Sequence, residues 1–210
     1  LARLCAVFQN SGFFADVLYY YGDAVPNYAG PKNGRFTAGP GYDYEVVNTD
    51  ILKMVTVKNG KPVLPGGAEF SILAVEPEKE MNPDISQKIN ELVKEGVVIC
   101  GIAGEPRSPQ ELLKTLGIPP DIDYHDKELG TIDYIHYKKG FCDIYFIRNT
   151  SGIWISRNCS FRQKNKVPGF WDPVSGEIFP VHIYNQAGNQ ICIPVTLAPF
   201  ESRIVIFRNS

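Results

Sequence analysis

The sequence predicts an α/β domain built on a parallel sheet, followed by an antiparallel β-sandwich. The two are assigned to residues 1–128 and 129–210. Three observations carry this. Residues 70–102 run apolar strand, amphipathic helix, apolar strand, the pattern of a right-handed βαβ unit. Residues 131–210 show strand after strand with no helical period. Between them, Pro119-Pro120 marks a change of texture, and the boundary falls between Pro119 and Gly130.

Residues 1–10 read as a helix end with Gly12 as its stop signal. Asp16-Val17-Leu18-Tyr19-Tyr20-Tyr21 is a compact strand ending at Gly22-Asp23. Residues 24–41, rich in Gly, Pro and Asn, form a long loop, and such loops are often functional. A strand over 42–48 and a short segment over 50–54 follow. Asn59-Gly60 then predicts a tight hairpin between 54–57 and 62–64. Phe70-Ser71-Ile72-Leu73-Ala74-Val75 is apolar throughout, as in a buried parallel strand. The helix over 83–95 has Asn82 as N-cap, Pro83 at its first position and Ile85, Ile89, Leu92 and Val93 on one face. Gly96 ends it, residues 97–102 are the next strand, and 109–116 a further short helix. In the second domain, strands are expected over 131–137, 142–148, 153–161, 177–184, 190–197 and 203–207. Turn signals fall at Lys139-Gly140, Ser151-Gly152 and Ala187-Gly188-Asn189.

The totals narrow the function. Hydrophobic content of 44% and charged content of 21% are those of a globular protein, and the net charge is −2. No basic surface for nucleic acid is evident, and the cluster from Arg162 to Lys166 reads as a solvated loop. No apolar run approaches the ~20 residues that cross a bilayer. The start at Leu1-Ala2-Arg3-Leu4, without Met, suggests a mature product or a fragment. The five cysteines are widely spaced with no Cys-x-x-Cys, which argues against a zinc knuckle, and their odd number argues against a full disulfide framework.

Several stretches share their order with a known family. They are Ala15-Asp16-Val17-Leu18-Tyr19-Tyr20-Tyr21-Gly22-Asp23, residues 41–50, residues 112–121, and Ile135-His136 with Asp143-Ile144-Tyr145-Phe146 and Asn149. The turn Trp171-Asp172-Pro173-Val174-Ser175-Gly176-Glu177 and Pro199-Phe200-Glu201-Ser202 complete the set. In these the chain resembles the middle-to-late part of glycoside hydrolase family 106, the α-L-rhamnosidase-like enzymes. The resemblance implies a flavodoxin-like, amidotransferase-like domain and then a sandwich. It also implies a parent enzyme, periplasmic or secreted, that cleaves α-L-rhamnosides in plant polysaccharide by inversion. The catalytic barrel, with calcium at its site, would lie upstream, with residues 1–12 the tail of one of its helices, and be the partner of this segment. The stretch between Ile102 and Leu112 is shorter than the resemblance implies, which abbreviates the second half of the α/β domain.

Glycoside hydrolysis needs two carboxylates flanking the scissile bond. No catalytic residue and no metal ligand is assigned in this chain, and no cofactor is expected in it. The best substrate-binding candidates are Asp23, just past a strand end where α/β sites gather, with Asn27 and Tyr28 in the long loop and Asp43 beyond it. Asp43, Glu45 and Asp50 could offer oxygens to calcium, but their spacing is not that of an EF-hand loop. Cys100 lacks the small residue two positions before it that a nucleophile elbow needs, so it reads as a buried thiol. The leading expectation is a non-catalytic segment bracing the barrel. The alternatives are a stand-alone carbohydrate-binding or assembly module, which needs an exposed aromatic row including Trp154, and a cysteine-dependent amidotransferase-like enzyme.

Overall fold

The computed structural model describes residues 2–9, 11–22, 28–32, 34, 36–76, 81–102, 107–124 and 131–209. The chain divides into two compact units, residues 15–119 and residues 1–14 with 120–210. It opens with helix α1 (Ala2–Phe8) and strand β1 (Gly12–Phe14), which belong to the second unit. Gly12 therefore begins a strand rather than ending a helix in the left-handed conformation.

The unit of residues 15–119 contains β2 (Val17–Tyr20), β3 (Tyr44–Val47), α2 (Thr49–Met54), β4 (Thr56–Lys58), β5 (Lys61–Val63), β6 (Ile72–Val75), α3 (Pro83–Lys94), β7 (Ile99–Cys100) and α4 (Pro109–Thr115). Its main sheet has the order β3-β2-β6-β7 with all strands parallel. In order of appearance that is 2-1-3-4, the start of the flavodoxin-like doubly wound order. Both faces are covered. Val17, Ile72, Ala74 and Cys100 pack with Leu112 and Leu113 of α4, while Leu18 and Leu73, of opposite parity, are equally buried. Burial on both faces explains why these strands are apolar throughout rather than alternating. Helix α3 turns Ile85, Ile89 and Leu92 inward, and the Asn82 side chain accepts from Asp84 N at 2.9 Å as its cap. Helix α4 begins in a capping box: Glu111 N donates to Ser108 Oγ, and Ser108 N donates to Glu111 Oε2. The β4–β5 hairpin turns on Asn59 and Gly60, both at positive φ, as its Asn-Gly pair requires.

The second unit contains β8 (Ile122–Asp123), β9 (Ile132–Lys139), β10 (Cys142–Asn149), β11 (Ile155–Phe161), β12 (Lys166–Trp171), β13 (Ile178–Pro180), β14 (Asn185–Ala187), β15 (Gln190–Leu197) and β16 (Ser202–Asn209). A six-stranded sheet, β1-β9-β10-β16-β12-β13, faces a four-stranded one, β14-β15-β11-β8. All pairings are antiparallel. Tyr134, Tyr145, Ile147, Val205 and Phe207 of the first meet Ile155, Cys159, Phe161, Ile191, Ile193 and Val195 of the second in one core. The alternate residues Ile144, Ile204 and Ile206 point the other way, under Val7 of α1, with Trp171 packed at the same place. The larger sheet is thus buried on both faces.

Two elements differ from expectation. The cluster from Arg162 to Lys166 reads as a loop, which holds for 162–165, but Lys166–Trp171, where no strand is expected, is an inner strand paired to both β16 and β13. Pro168 is tolerated because it stands beyond Gly169↔Pro180, the last β12–β13 register pair. Of the strand expected over 177–184 only residues 178–180 are strand, as β13, and β14 begins just beyond that range at Asn185, in the other sheet. No helix among the described residues is long and apolar enough to cross a membrane.

Gly101 lies directly after β7 at φ +84°, and a Cβ there would stand 2.0 Å from the carbonyl oxygen of Val75. Neither the dihedral nor the space admits a side chain. Gly101→Ala should cost at least about 2 kcal/mol, read as a lowered urea midpoint at unchanged m-value.

Candidate functional site

The residues with the most concentrated chemistry lie inside the second unit. Alternation along β9 sends His136 into the inter-sheet core, and the register sets it opposite Tyr145 of β10. The two rings stack at 3.9 Å between centroids and 17° between planes, and Phe14 of β1 covers His136 at 4.7 Å. His136 Nδ1 lies 2.9 Å from Asp121 Oδ2, and Nε2 lies 2.8 Å from Asp143 Oδ1. Both neighbours are acceptors, so the ring is held as an imidazolium that donates from both nitrogens. Tyr145 OH donates to Asp121 Oδ1 at 2.9 Å and accepts from Gln163 Nε2 at 2.9 Å. Lys166 of β12 donates to Asp143 Oδ2, and Arg162 stands 3.6 Å from Asp121 Oδ1.

These charges are almost wholly out of water: Asp121, His136 and Asp143 are all buried. Burial alone would push the His136 pKa down, but the two carboxylates outweigh it and hold it above its ordinary value. Burial would likewise raise Asp143, yet hydrogen bonds from His136 and Lys166 bring it down to about 2. Desolvation raises the Tyr145 phenol well above its usual value, so it stays a neutral donor. Each carboxylate oxygen of Asp121 and Asp143 has a partner within the network. Chemically it is a set of mutually satisfied ion pairs.

The residues singled out in the sequence lie elsewhere. Asp23 and Asn27 fall outside the described residues. Tyr28 is 71% exposed, and its ring lies against Gly30. Asp43 is buried just before β3, at the amino-terminal ends of the parallel strands. Its Oδ1 accepts from Tyr44 N at 2.9 Å, and its Oδ2 pairs with Lys32 Nζ at 2.9 Å. Asp43 thus pins the long loop to the sheet. Glu45 accepts from Val46 N, and Asp50 lies in the first turn of α2. No group of three or more His, Cys, Asp or Glu that could hold a metal occurs among the described residues, so no step is assigned to calcium here.

Cys100 lies in the apolar cluster of the parallel sheet. His125 is outside the described residues, and His136 is committed to its two carboxylates. Cys159 is likewise buried, with its thiol pushed up to about 12 by desolvation. Trp154 is 69% exposed, whereas Tyr134 and Tyr145 are buried.

A lone histidine on a strand is most often a hydrogen-bonded structural residue, and His136 is one. Nothing in the sequence marks the other members of its network, Asp121, Gln163 and Lys166. The one available signal was the inward parity of His136, Asp143 and Tyr145 on adjacent strands, since three polar side chains on a core face must satisfy one another.

The chain matches the family model for glycoside hydrolase family 106, alpha-L-rhamnosidase, over residues 1–110 and 106–186. A putative beta-glucuronidase of Formosa agariphila is 27% identical over 243 residues, covering all of this chain and 20% of that protein. A rhamnosidase from Novosphingobium sp. PP1Y has a similar structure, with a TM-score of 0.82 at 20% identity over 97% of this chain and 23% of that one. The first match covers most of the sequence, and the chain belongs to glycoside hydrolase family 106. The similarity to the Novosphingobium structure bears on the fold. The chain spans about a fifth of the length of the curated relative it matches.

The network makes stability depend on pH with two limbs. His136 has a raised folded pKa, so its contribution is full below the unfolded value near ~6.5 and is lost as pH rises through the folded value. Asp143 has a lowered pKa, so its contribution is full above the unfolded value and is lost as pH falls toward about 2. Denaturant midpoints should therefore be highest in mild acid and fall on either side; a flat profile through both limbs would contradict this. Asp143→Asn leaves an imidazolium and an ammonium short of a partner and should cost about 3–5 kcal/mol, measured by urea unfolding near neutral pH.

Proposed function

We propose that this chain is an accessory segment of a rhamnosidase-like glycoside hydrolase. Its two units serve as a scaffold for a catalytic barrel carried elsewhere in the parent protein, and it has no catalytic pair of its own. The observation that carries this reading is the state of the buried acids. An inverting glycosidase needs carboxyl groups about 6.5–9.5 Å apart with substrate and water between them. Asp121 and Asp143 instead grip the two nitrogens of one imidazole ring, and hydrogen bonds to Tyr145 and Lys166 take up their remaining oxygens. Family membership supports the parent activity, cleavage of α-L-rhamnosides in plant polysaccharide. Calcium, in this reading, belongs to the barrel.

The test is hydrolysis of an aryl α-L-rhamnoside by the 210-residue chain, with calcium and with chelator. No turnover above the uncatalysed rate is expected in either condition. Enzyme-like turnover in either would overturn the accessory reading and place a catalytic pair within these residues.

A further inference from the structure

Two sequence motifs far apart in the chain, the Trp-Asp-Pro turn and the Pro-Phe-Glu-Ser segment, converge on one cleft of the second unit. It has a volume of about 330 Å³ and is lined by Phe170, Asp172, Phe179, Glu201, Ser202 and Arg203. That volume is at the lower end of small-molecule sites, about 300–1,000 Å³. Phe170 and Phe179 stand directly opposite each other in the β12–β13 register, so their rings share one face. Phe170 is anchored against the inter-sheet core, whereas Phe179 is 49% exposed.

The polar groups are fixed in place. The Arg203 guanidinium lies over Phe170, 5.2 Å from the ring centre, and Nη2 donates to Glu201 Oε1 at 2.7 Å. Glu201 Oε2 accepts from Ala198 N at 2.7 Å. Asp172 Oδ1 accepts from Val174 N at 2.7 Å within the turn, and the backbone and hydroxyl of Ser175 also donate to its carboxylate, which leaves about one of its lone-pair sites. A guanidinium has five N–H donors and a carboxylate about four lone-pair sites, so each group keeps capacity for a ligand. Ser202 adds a hydroxyl that can both donate and accept.

We propose that this cleft binds one residue of a neutral saccharide. A pyranose presents an apolar C–H face and an edge of hydroxyls, each both donor and acceptor. The two phenylalanines match the face. Arg203, Asp172, Glu201 and Ser202 match the edge, alternating donors with acceptors. The charge balance selects against anions, because two carboxylates face one guanidinium. A uronate or a phosphate would meet net negative charge. Neither carboxylate is given a part in bond cleavage. Sugar binding here is read by titration and the accessory role by turnover, so either can fail without the other.

The experiment is an NMR titration of the ¹⁵N-labelled 210-residue chain with the neutral methyl glycosides of L-rhamnose, D-glucose and D-galactose, and with glucuronate for comparison. Saturable shifts in the millimolar range are expected at the amides of Phe170, Asp172, Ser202 and Arg203 with at least one neutral glycoside. Glucuronate should bind about tenfold more weakly. Phe179→Ala, on an exposed edge strand, should keep the native spectrum elsewhere and weaken the neutral glycoside about tenfold. The proposal is overturned if no neutral glycoside gives saturable shifts at these amides. It is equally overturned if glucuronate binds as well, or if Phe179→Ala binds unchanged.

Discussion

The second unit depends on one buried imidazolium. His136 lies in a core otherwise built of Ile, Val, Leu, Phe, Tyr and Cys, and its charge is tolerable there only because a carboxylate meets each ring nitrogen. Those carboxylates would themselves be costly to bury, and Lys166, Arg162 and the Tyr145 hydroxyl complete them. The parts come from four places: the segment before β8, the β9–β10 hairpin, the residues after β11, and β12. Ion pairs of this kind add little net stability over an apolar core, but leaving one group unmatched is expensive. A shift of β9 against β10 by one residue would turn His136 outward and leave Asp121 and Asp143 each without the imidazole partner. The network therefore acts as a register lock: the intended pairing satisfies every charge, and a slipped one strands several.

The same reasoning separates what was legible in the sequence from what was not. Strands that alternate, such as Ile132–Lys139 and Gln190–Leu197, show themselves because one side of each must be apolar. The Asn-Gly hairpin and the Asn82-Pro83 helix start were readable because each depends on local chemistry alone. Lys166–Trp171 was not readable. Its Lys-Val-Pro-Gly run carries turn and loop signals, and its place between two strands comes from pairing with residues nearly forty positions later. The short β1 and β8 likewise exist only through their partners. For the network, His136 could be marked as a satisfied core histidine from its strand pattern. Asp121 could not be joined to it, because nothing local distinguishes an Asp after two prolines that enters a core from one that caps a turn.

The parallel-sheet unit makes a contrasting case. Its central strands β2 and β6 are short and apolar, and α3 carries the crossover from β6 to its parallel neighbour β7. Its polar investment is at the margins. Asp43 fastens the long loop at the amino-terminal ends of the strands, Asn48, Asn82 and Ser108 cap helices, and Tyr42 OH donates to the carbonyl of Ile118 at 2.8 Å. Each of these holds chain in place, and none leaves an acid facing open space. Ligand sites in open α/β sheets form at the carboxyl ends of the strands, where the order reverses. In the 2-1-3-4 order that point lies between β2 and β6, beyond Tyr20 and Val75. Asp43, at the other ends of the strands, is a fastening for the sheet edge.

Strand β16 shows how one element can serve a core and a cleft together. Its inward residues Val205 and Phe207 are fully buried, and its outward residues Ile204 and Ile206 lie under α1. It pairs with β10 over residues 202–207 and with β12 over residues 204–209, so its middle is flanked on both sides. Arg203 is the next inward position after Val205, at the end where β12 gives way to the Trp-Asp-Pro turn. Its guanidinium is thus positioned by a central strand and steadied by Phe170 and Glu201, not by a mobile loop. Charged groups on rigid elements are pre-organised, so a ligand that meets them need not supply the entropy of ordering them. The network and the cleft are products of the same sheet. At the Asp143–Lys166 end the charges are fully matched and closed to water, while at the Arg203 end they are matched only in part and face solvent. That difference in satisfaction makes the first a lock and the second a surface able to take a ligand.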